Sequence, residues 1–444
     1  MKHLPIAPAL FIHNRKLLAD KLAPRSIAII NSNDILPTSA DGTMPFRQNA
    51  DMFWTTGVDQ EETILMLFPD APEPKLREIL FLRETSEKIL TWEGYKLSKE
   101  QAREATGIET IFWTTEFDAV FRRMMAEADN IYLNTNEHIR ADVVVETRDA
   151  RFLDRCKKQF PLHNYKRLAP IMTQLRMVKS EFEVQQLREA CRITGLAFRR
   201  LLERMQPGMY EFEAEAEFTY TYIRNRSKGH AYDPIFASGA NTCILHYIEN
   251  SRVCEDGTLI LIDAGAEYAN YNADMTRVIP VNGKFTPRQR QVYEAVLRVH
   301  KAAIKMLVPG TRFADYIRAV AELTNKECIG LGLYTAEDVK KQDPENPLYR
   351  KYFMHGVSHH LGLNVHDVSS FYTDMKASMV LTVEPGIYIW EEGIGIRIEN
   401  NVLITETGQE DLMADIPIEA DEIEAIMASA RLNGVSSNKA EALA

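Results

Sequence analysis

Short apolar runs closed by turn-forming residues recur through the first part of the chain. The runs SIAIINSN, ETILMLFPD and KLREILFLRE have the length and the apolar character of buried strands, and polar or proline-containing turns end the first two. This pattern predicts a mixed α/β domain over residues 1–170.

The spacing of apolar residues then changes to that of long helices with clear start signals. Ser180 and Glu183 form a capping box before FEVQQLREACRITGLAFRRLLERM, and Thr286 and Gln289 form a second box before QVYEAVLRVHKAAIKML. A Pro-Gly pair ends each of these two helices. A third helix is predicted over about 313–328.

Two strand pairs lie between and after these helices: TLILIDAGAEY with NADMTRVIPV, and MVLTVEPGIYIW with GIGIRIENNVLI. Helices that cover a mainly antiparallel sheet are typical of the α+β class. The domain boundary is predicted within residues 165–178. We therefore expect a larger α+β domain over 175–432 and a flexible polar tail over 433–444.

Each strand pair carries two acidic residues at matched positions. In an antiparallel hairpin, opposed residues lie at equal distances from the centre of the turn. Asp263 and Asp274 are equidistant from a turn centred at 268–269, and Glu384 and Glu399 are equidistant from the WEEG segment. We therefore expect each pair of carboxylates to lie opposite each other.

Opposed carboxylates repel each other, and their strand neighbours here are apolar. One such pair is compatible with a proton-sharing dyad for acid–base catalysis. Solvated acids on the outer face of each hairpin are another interpretation, although four acids at matched spacings weaken it. Two pairs, with a histidine cluster between them in the sequence, favour bound cations.

Four of the eleven histidines lie in FMHGVSHHLGLNVHD: His355, His359, His360 and His366. The HExxH pattern of a three-ligand zinc site is missing from the sequence. One histidine added to four carboxylates makes an oxygen-rich set, which suits manganese or a similar hard divalent ion. His360, adjacent to His359, is expected to point away, and His246 taken alone has the context of a structural histidine.

Composition narrows the class of protein further. Hydrophobic residues make up 45% of the 444 residues and the net charge is −11, which fits a globular protein and argues against a nucleic-acid partner. The five cysteines show no CxxC spacing, and neither a secretory signal nor a membrane-length apolar run is apparent. We expect a cytoplasmic protein with no membrane partner.

Together these segments resemble the aminopeptidase P and prolidase family, which are metallopeptidases with the pita-bread fold. The segments that carry the resemblance are ILHYIEN, LILIDAGAEY with NADMTRVIPVNGKFT, MHGVSHHLGLNVHD, LTVEPGIYI and GIGIRIENNVLITETG. The resemblance implies a catalytic domain in which helices cover a curved antiparallel sheet, preceded by a smaller mixed α/β domain. It covers nearly the whole chain and is looser in the N-terminal domain.

The resemblance also implies a ligand set for two divalent metal ions, most readily Mn²⁺, with Zn²⁺ or Co²⁺ as alternatives. The implied ligands are Asp263, Asp274, His359, Glu384 and Glu399. Asp274 and Glu399 take the bridging positions in this scheme. His360 departs from the family pattern, in which an aromatic residue is frequent, but removes no ligand.

Further residues receive substrate roles from the same resemblance. His246 and His366 match histidines that hydrogen-bond the substrate and stabilise the reacting carbonyl. His355 and Arg397 match the pocket for the proline side, and strand alternation places Arg397 on the same face as Glu399, two residues away. Asp41 in TSADGTMPFRQNADMFWTTG and Trp92 in LTWEGY match positions that complete a site, across a subunit boundary in a homodimer or homotetramer.

The implied activity is removal of the first residue from peptides with proline in the second position. A metal-bridging hydroxide would attack the carbonyl, with Glu384 as the proton acceptor. Two alternatives stay open: a prolidase restricted to Xaa-Pro dipeptides, and a non-catalytic binding module with the same fold.

Overall fold

The computed structural model describes residues 3–135, 137, 143–370 and 372–441, with the side chains of 433–441 left out. The chain divides into an N-terminal unit, Leu4–Arg176, and a C-terminal unit, Met177–Ala444, which also includes Met1–His3. None of the helices in the described ranges combines the length and apolar character that a membrane span requires.

The N-terminal unit is a mixed α/β domain around one six-stranded sheet in the order β4-β3-β2-β1-β5-β6. The strands are β1 (Ser26–Asn31), β2 (Ile64–Leu67), β3 (Glu78–Leu82), β4 (Thr110–Trp113), β5 (Asn130–Leu133) and β6 (Asn164–Arg167). The three apolar runs of the sequence form β1, β2 and β3, as predicted. Strand β2 pairs antiparallel with β1 and β3, whereas β1–β5, β5–β6 and β3–β4 are parallel.

Seven helices accompany this sheet in the described part of the N-terminal region. They are α1 (Pro8–Ala19), α2 (Ala50–Thr56), α3 (Glu87–Glu93), α4 (Lys99–Thr106), α5 (Phe117–Met125), α6 (Arg148–Gln159) and α7 (Ala169–Met177). A cluster of phenylalanines that includes Phe81, Phe117 and Phe121 packs one face of the sheet against α5 and α6.

Six α-helices belong to the described part of the C-terminal unit. They are α8 (Glu181–Arg204), α9 (Glu211–Arg224), α10 (Pro287–Ile304), α11 (Phe313–Gly330), α12 (Ala336–Lys341) and α13 (Ala420–Glu441). Both predicted capping boxes are present, at Ser180 with Glu183 and at Thr286 with Gln289. The predicted flexible tail at 433–444 falls on residues whose side chains lie outside the described part of the chain.

All strand pairings in the described C-terminal unit are antiparallel, as predicted for this domain. The strands are β7 (Gly229–His230), β8 (Ile235–Ser238), β9 (Leu259–Asp263), β10 (Ala266–Tyr268), β11 (Tyr271–Asn272), β12 (Thr276–Pro280), β13 (Val380–Val383), β14 (Gly386–Ile389), β15 (Ile394–Arg397), β16 (Asn400–Ile404) and β17 (Gln409–Asp411). Helix α8 packs against β10 and β11 and against α9 and α13, which covers this sheet region.

The first acidic hairpin differs in register from the prediction. Asp263 lies opposite Thr276 rather than Asp274. The two turn residues are Ala269 and Asn270, with φ of 53° and 64°, so the turn is centred one residue later than predicted. A two-residue hairpin turn with positive φ at both positions matches the natural twist of the strands. The resulting offset is two residues, which keeps both carboxylates on one face.

The second acidic hairpin has the predicted register. Val383 pairs with Asn400, and the same register continues from β14 to β15. Glu384 and Glu399 lie in the gap between these two paired stretches, one residue closer to the turn than the pair of Val383 and Asn400. The two acids therefore lie opposite each other at the point where the ladder of backbone pairs is interrupted.

Candidate active site

Five predicted ligands come from the ends of four strands and one loop. Asp263 ends β9, Asp274 lies just before β12, Glu384 follows β13, and Glu399 precedes β16. His359 belongs to the loop before β13. Its amide donates to the Thr382 hydroxyl at 3.0 Å and its carbonyl accepts from the Thr382 amide at 2.9 Å, so the loop is tied to β13.

His359 faces the acids through one ring nitrogen. His359 Nε2 lies 3.4 Å from Asp274 Oδ2 and 3.7 Å from Glu384 Oε1. Its other nitrogen, Nδ1, lies 3.0 Å from the His360 carbonyl, which makes Nδ1 a donor and fixes the ring with Nε2 toward the acids. Asp274, His359 and Glu399 each offer a ligand atom within 4.8 Å of the others, a spacing that a metal ion can close.

A tyrosine joins Asp263 to this group. The Tyr232 hydroxyl lies 2.6 Å from Asp263 Oδ1 and 2.7 Å from Asp274 Oδ1, so the two carboxylates converge on one point. Burial and the two carboxylates raise the pKa of Tyr232 well above its usual value, which keeps the phenol protonated. The register offset of the first hairpin therefore does not separate the two acids.

Glu399 provides the test of whether a cation fits. The residue is 2% exposed; its Oε2 accepts from the Thr276 hydroxyl at 2.7 Å, whereas its Oε1 is buried with no hydrogen-bond partner. A buried acceptor without a partner is costly. A divalent cation between Glu399 and its acidic neighbours would complete that coordination, so the residues fit a metal site.

The electrostatics of the cluster support the same conclusion. Burial and the nearby Asp274 and Glu384 carboxylates raise the pKa of Glu399 well above its usual range, and burial raises that of Glu384 to about 7 although His359 opposes the shift. Burial also raises the pKa of Asp263 despite its contact with Arg397. Carboxylates crowded in this way are ionised at low cost only when cations neutralise them.

His359 shows the opposite balance. Burial lowers its pKa, but the hydrogen bond to Asp274 and the charge of Glu384 outweigh burial and raise the pKa to about 9. A proton on His359 therefore supplies positive charge next to the Asp274 and Glu384 carboxylates. A metal ion bound by these residues would supply that charge instead, with His359 as a ligand, and would displace the proton.

A polar wall runs from Arg397 to His355 beside the acids. Arg397 donates to Asp263 Oδ2 at 2.6 Å and to the Tyr388 hydroxyl at 2.7 Å. The Tyr388 hydroxyl lies 2.8 Å from His355 Nε2, and His355 Nδ1 lies 2.7 Å from the Gly356 carbonyl. His355 is therefore a neutral acceptor at Nε2. Burial and Arg397 lower its pKa to about 3.

The other three histidines of the prediction, His246, His360 and His366, differ in burial and in the groups next to them. The His366 ring lies against the His359 ring, with centroids 4.1 Å apart and a tilt of 35°. His246 is exposed, and it interacts electrostatically with His355. His360 is buried, and burial and the charge of Lys179 lower its pKa to about 3.

Asp41 and Trp92 belong to the N-terminal unit. Both side chains are exposed, Trp92 to 81%. Their assignment to a substrate site stays a prediction.

Sequence reasoning missed two tyrosines of the site. Tyr388 lies four residues after Glu384, so strand alternation along this hairpin could have placed both on one face. Tyr232 lies outside the hairpins, in the segment before β8, and no local pattern indicates that its hydroxyl reaches Asp263.

Comparison with known proteins adds independent information. Residues 185–406 match the model of metallopeptidase family M24, and residues 11–132 match the N-terminal domain of aminopeptidase P. The chain is 35% identical to the Xaa-Pro aminopeptidase of Escherichia coli (strain K12), over 95% of this chain and 98% of that protein.

Solved structures give the same picture. Zn-substituted E. coli aminopeptidase P in complex with product superposes with a TM-score of 0.85 at 34% identity, covering 96% of this chain and 99% of that one. E. coli aminopeptidase P with the inhibitor Pro-Leu gives a TM-score of 0.85 at 33% identity, covering 96% and 100%.

Proposed function

Because the chain belongs to metallopeptidase family M24, we propose that its buried acidic cluster holds two divalent ions and cleaves the bond before proline at the amino end of peptides. The chain is a metal-dependent aminopeptidase with an aminopeptidase P N-terminal domain, and it is similar over nearly its whole length to an Xaa-Pro aminopeptidase. The ligand set, the number of ions and the course of the reaction are our proposals.

The observation that carries the proposal is the buried Glu399 carboxylate, which has one oxygen without a hydrogen-bond partner. Its neighbours supply the other donors of a site with four carboxylates and one imidazole: Asp263, Asp274, Glu384 and His359. This set favours Mn²⁺, and it also accommodates Zn²⁺ or Co²⁺. Bound there, two ions would supply a hydroxide at neutral pH and polarise the carbonyl under attack.

Protein groups would handle the proton and the substrate. Glu384 faces both His359 and His355, at 3.7 and 3.5 Å, and would accept the proton of the attacking water and pass it to the leaving nitrogen. His366, whose ring lies against that of His359, and the exposed His246 would donate hydrogen bonds to the substrate and to the developing oxyanion. Asp263 would attract the free amine of the substrate.

The polar wall supports selection for proline. A peptide bond before proline has no N–H, so a site cannot recognise it through a backbone donor and must contact the ring instead. His355 and Arg397, held together by the Tyr388 hydroxyl, form a rigid surface beside the acids. We propose that the proline ring packs against this surface.

Hydrolysis of matched peptides tests the proposal. Xaa-Pro dipeptides, Xaa-Pro tripeptides, longer Xaa-Pro peptides and Xaa-Ala controls would be incubated with metal-free protein before and after addition of Mn²⁺, Zn²⁺ or Co²⁺. We expect Mn²⁺-dependent release of the first residue from tripeptides and longer peptides, with Xaa-Ala resistant. Cleavage of dipeptides alone would instead identify a prolidase, and no cleavage with any ion would identify a non-catalytic module.

Assembly and location complete the proposal. All five cysteines are buried and unpaired, which suits the reducing cytoplasm. We propose a homodimer or homotetramer in which the exposed Asp41 and Trp92 complete a site. Light scattering measures the mass, and Trp92→Ala should lower kcat/KM for tripeptides without loss of metal.

A further inference from the structure

Glu211, the first residue of α9, is a fully buried carboxylate with four hydrogen bonds. Oε1 accepts from the Ser238 amide and the Ser238 hydroxyl, both at 2.7 Å. Oε2 accepts from the Tyr247 hydroxyl and the Arg252 amide, both at 2.8 Å. All four partners are donors, so only a side chain with two accepting oxygens satisfies them.

These partners bracket one loop. Ser238 ends β8, and Arg252 lies where the chain returns to the start of α9, so the two mark the beginning and end of the segment 239–251. The Glu211 amide also donates to the Arg252 carbonyl at 2.9 Å, which fixes the end of this loop to the start of α9. Tyr247, the partner inside the loop, is the residue directly after His246.

The same loop packs against the active-site hairpin. The Thr242 hydroxyl accepts from the Gly395 amide at 2.9 Å, two residues from Arg397 on β15. A Cβ on Gly395 would lie 2.1 Å from the Thr242 carbonyl oxygen, so loop and strand are in direct backbone contact. Thr242 and Tyr247 therefore fix the loop on either side of His246, whereas the His246 side chain itself is exposed.

We infer that Glu211 is a positioning residue that sets the place of His246 in the active site through Tyr247. This inference rests on the substrate role given to His246 in the proposed function. An exposed imidazole on a loop loses much of its value as a hydrogen-bond donor when the loop moves, since a displacement of about 1 Å can cost a factor of about 100 in rate. Glu211 contacts none of the predicted metal ligands directly.

Glu211→Gln tests the inference with almost no change in volume. In glutamine, one of the two accepting oxygens becomes an NH2 group, which is a donor. That NH2 group would face either the two donors of Ser238 or those of Tyr247 and Arg252, so the side chain must separate from one of these two sides. We expect kcat/KM for an Xaa-Pro tripeptide to fall by a factor of about 10 to 100, with metal content unchanged. Glu213→Gln is the matched control: it is an exposed glutamate on the same helix, and glutamine can still accept from the Tyr210 amide, so activity should stay at the wild-type level.

A double-mutant cycle with His246→Ala separates positioning from general structural damage. If Glu211 acts through His246, Glu211→Gln should reduce kcat/KM little further once the imidazole is gone. Equal losses in both backgrounds would overturn the inference while leaving the role of His246 intact. Wild-type activity of His246→Ala would overturn the role of His246 and the inference with it, although metal-dependent cleavage itself would stand.

Tyr247→Phe covers the case in which Glu211→Gln fails to fold. This variant removes one hydrogen bond of the four and keeps the ring in place. We expect a loss of kcat/KM by a factor of about 3 to 10 that again disappears in the His246→Ala background. Unchanged kcat/KM in a folded Tyr247→Phe protein would overturn the inference.

Discussion

The side chain of Asn401 pairs with the backbone of Asp274 in both directions. Asn401 Oδ1 accepts from the Asp274 amide at 3.0 Å, and Asn401 Nδ2 donates to the Asp274 carbonyl at 2.6 Å. The Cys191 thiol donates to the same Oδ1 at 3.3 Å. A buried side-chain amide thus takes the place of a strand partner just where the backbone of Asp274 leaves the regular ladder.

Removal of this pairing should weaken metal binding. We expect Asn401→Ala to lower metal affinity about 10- to 100-fold, because a ligand loses the group that orients it, and to cost about 1–3 kcal/mol of stability. Metal titration and chemical denaturation measure the two effects. Asn400→Ala is the control, since Asn400 donates to Asp411 instead; it should lose stability and keep its metal affinity. Equal affinity losses in both variants would contradict the orienting role.

Asp274→Ala should abolish activity and lower metal content while leaving the fold intact. The charge of Asp274 helps to raise the pKa of Glu399 and of Glu384, so its removal relieves repulsion in the metal-free protein. We therefore expect metal-free Asp274→Ala to be at least as resistant to denaturant as the metal-free wild type. Elemental analysis gives the metal content, and Asp343→Ala, at an exposed loop carboxylate, is the control. Unchanged turnover would refute the dinuclear site.

Tyr388→Phe should impair catalysis without loss of metal. The hydroxyl donates to His355 Nε2 and accepts from Arg397, so its removal leaves the imidazole and the guanidinium without their shared partner. We expect kcat/KM for Xaa-Pro tripeptides to fall about tenfold. Tyr293→Phe removes another buried hydroxyl, whose partner is the Ile418 carbonyl, and should lower stability alone. A tenfold loss in that control as well would show that the effect is not specific to the wall.

The sequence predicted the elements that local signals define. The capping residues Ser180 and Thr286 mark the starts of α8 and α10 because their hydroxyls bond to amides three residues on. The register of the Glu384–Glu399 hairpin follows from the sequence because WEEG is a compact turn. The register that the sequence predicts for the other hairpin is wrong by two residues, since its turn uses positive φ at Ala269, a residue type that gives little sign of that conformation.

Contacts between distant segments were not predictable in the same way. Tyr232 reaches Asp263 across 31 positions, and Asn401 reaches Asp274 across 127. Neither residue differs in type or local pattern from many that have no such contact. Their places follow from the packing of whole elements, which one sequence does not reveal.

Asp149 in the N-terminal unit predicts a pH dependence of stability. Burial raises its pKa from 3.8 to about 6, although the Asn31 amide donates to it at 2.8 Å. The folded state therefore binds more protons than the unfolded state between about pH 4 and 6, and the contribution of this group to stability falls as pH rises through that window.

Asp149→Asn should remove this loss of stability at higher pH, because asparagine has no charge to bury and its side-chain oxygen still accepts from Asn31. We expect the variant to be more stable at pH 7 by about 2–3 kcal/mol, and to lose the corresponding slope between pH 4 and 6. Urea denaturation at a series of pH values measures both. Parallel curves for variant and wild type across the window would show that Asp149 titrates normally.

Gly265→Ala should separate the strands that carry the first acidic pair. An added Cβ would lie 1.8 Å from the Ala273 carbonyl oxygen, and a backbone atom cannot move aside as a side-chain end can. Gly265 and Ala273 lie between Asp263 and Asp274, so the two carboxylates would move apart. We expect a stability loss above about 3 kcal/mol and metal affinity reduced at least tenfold in any folded fraction. Gly330→Ala, at the end of α11 with open space around it, should be neutral or stabilising. If Gly265→Ala instead bound metal as tightly as Gly330→Ala, the close approach of these two strands would not be what holds the carboxylates together.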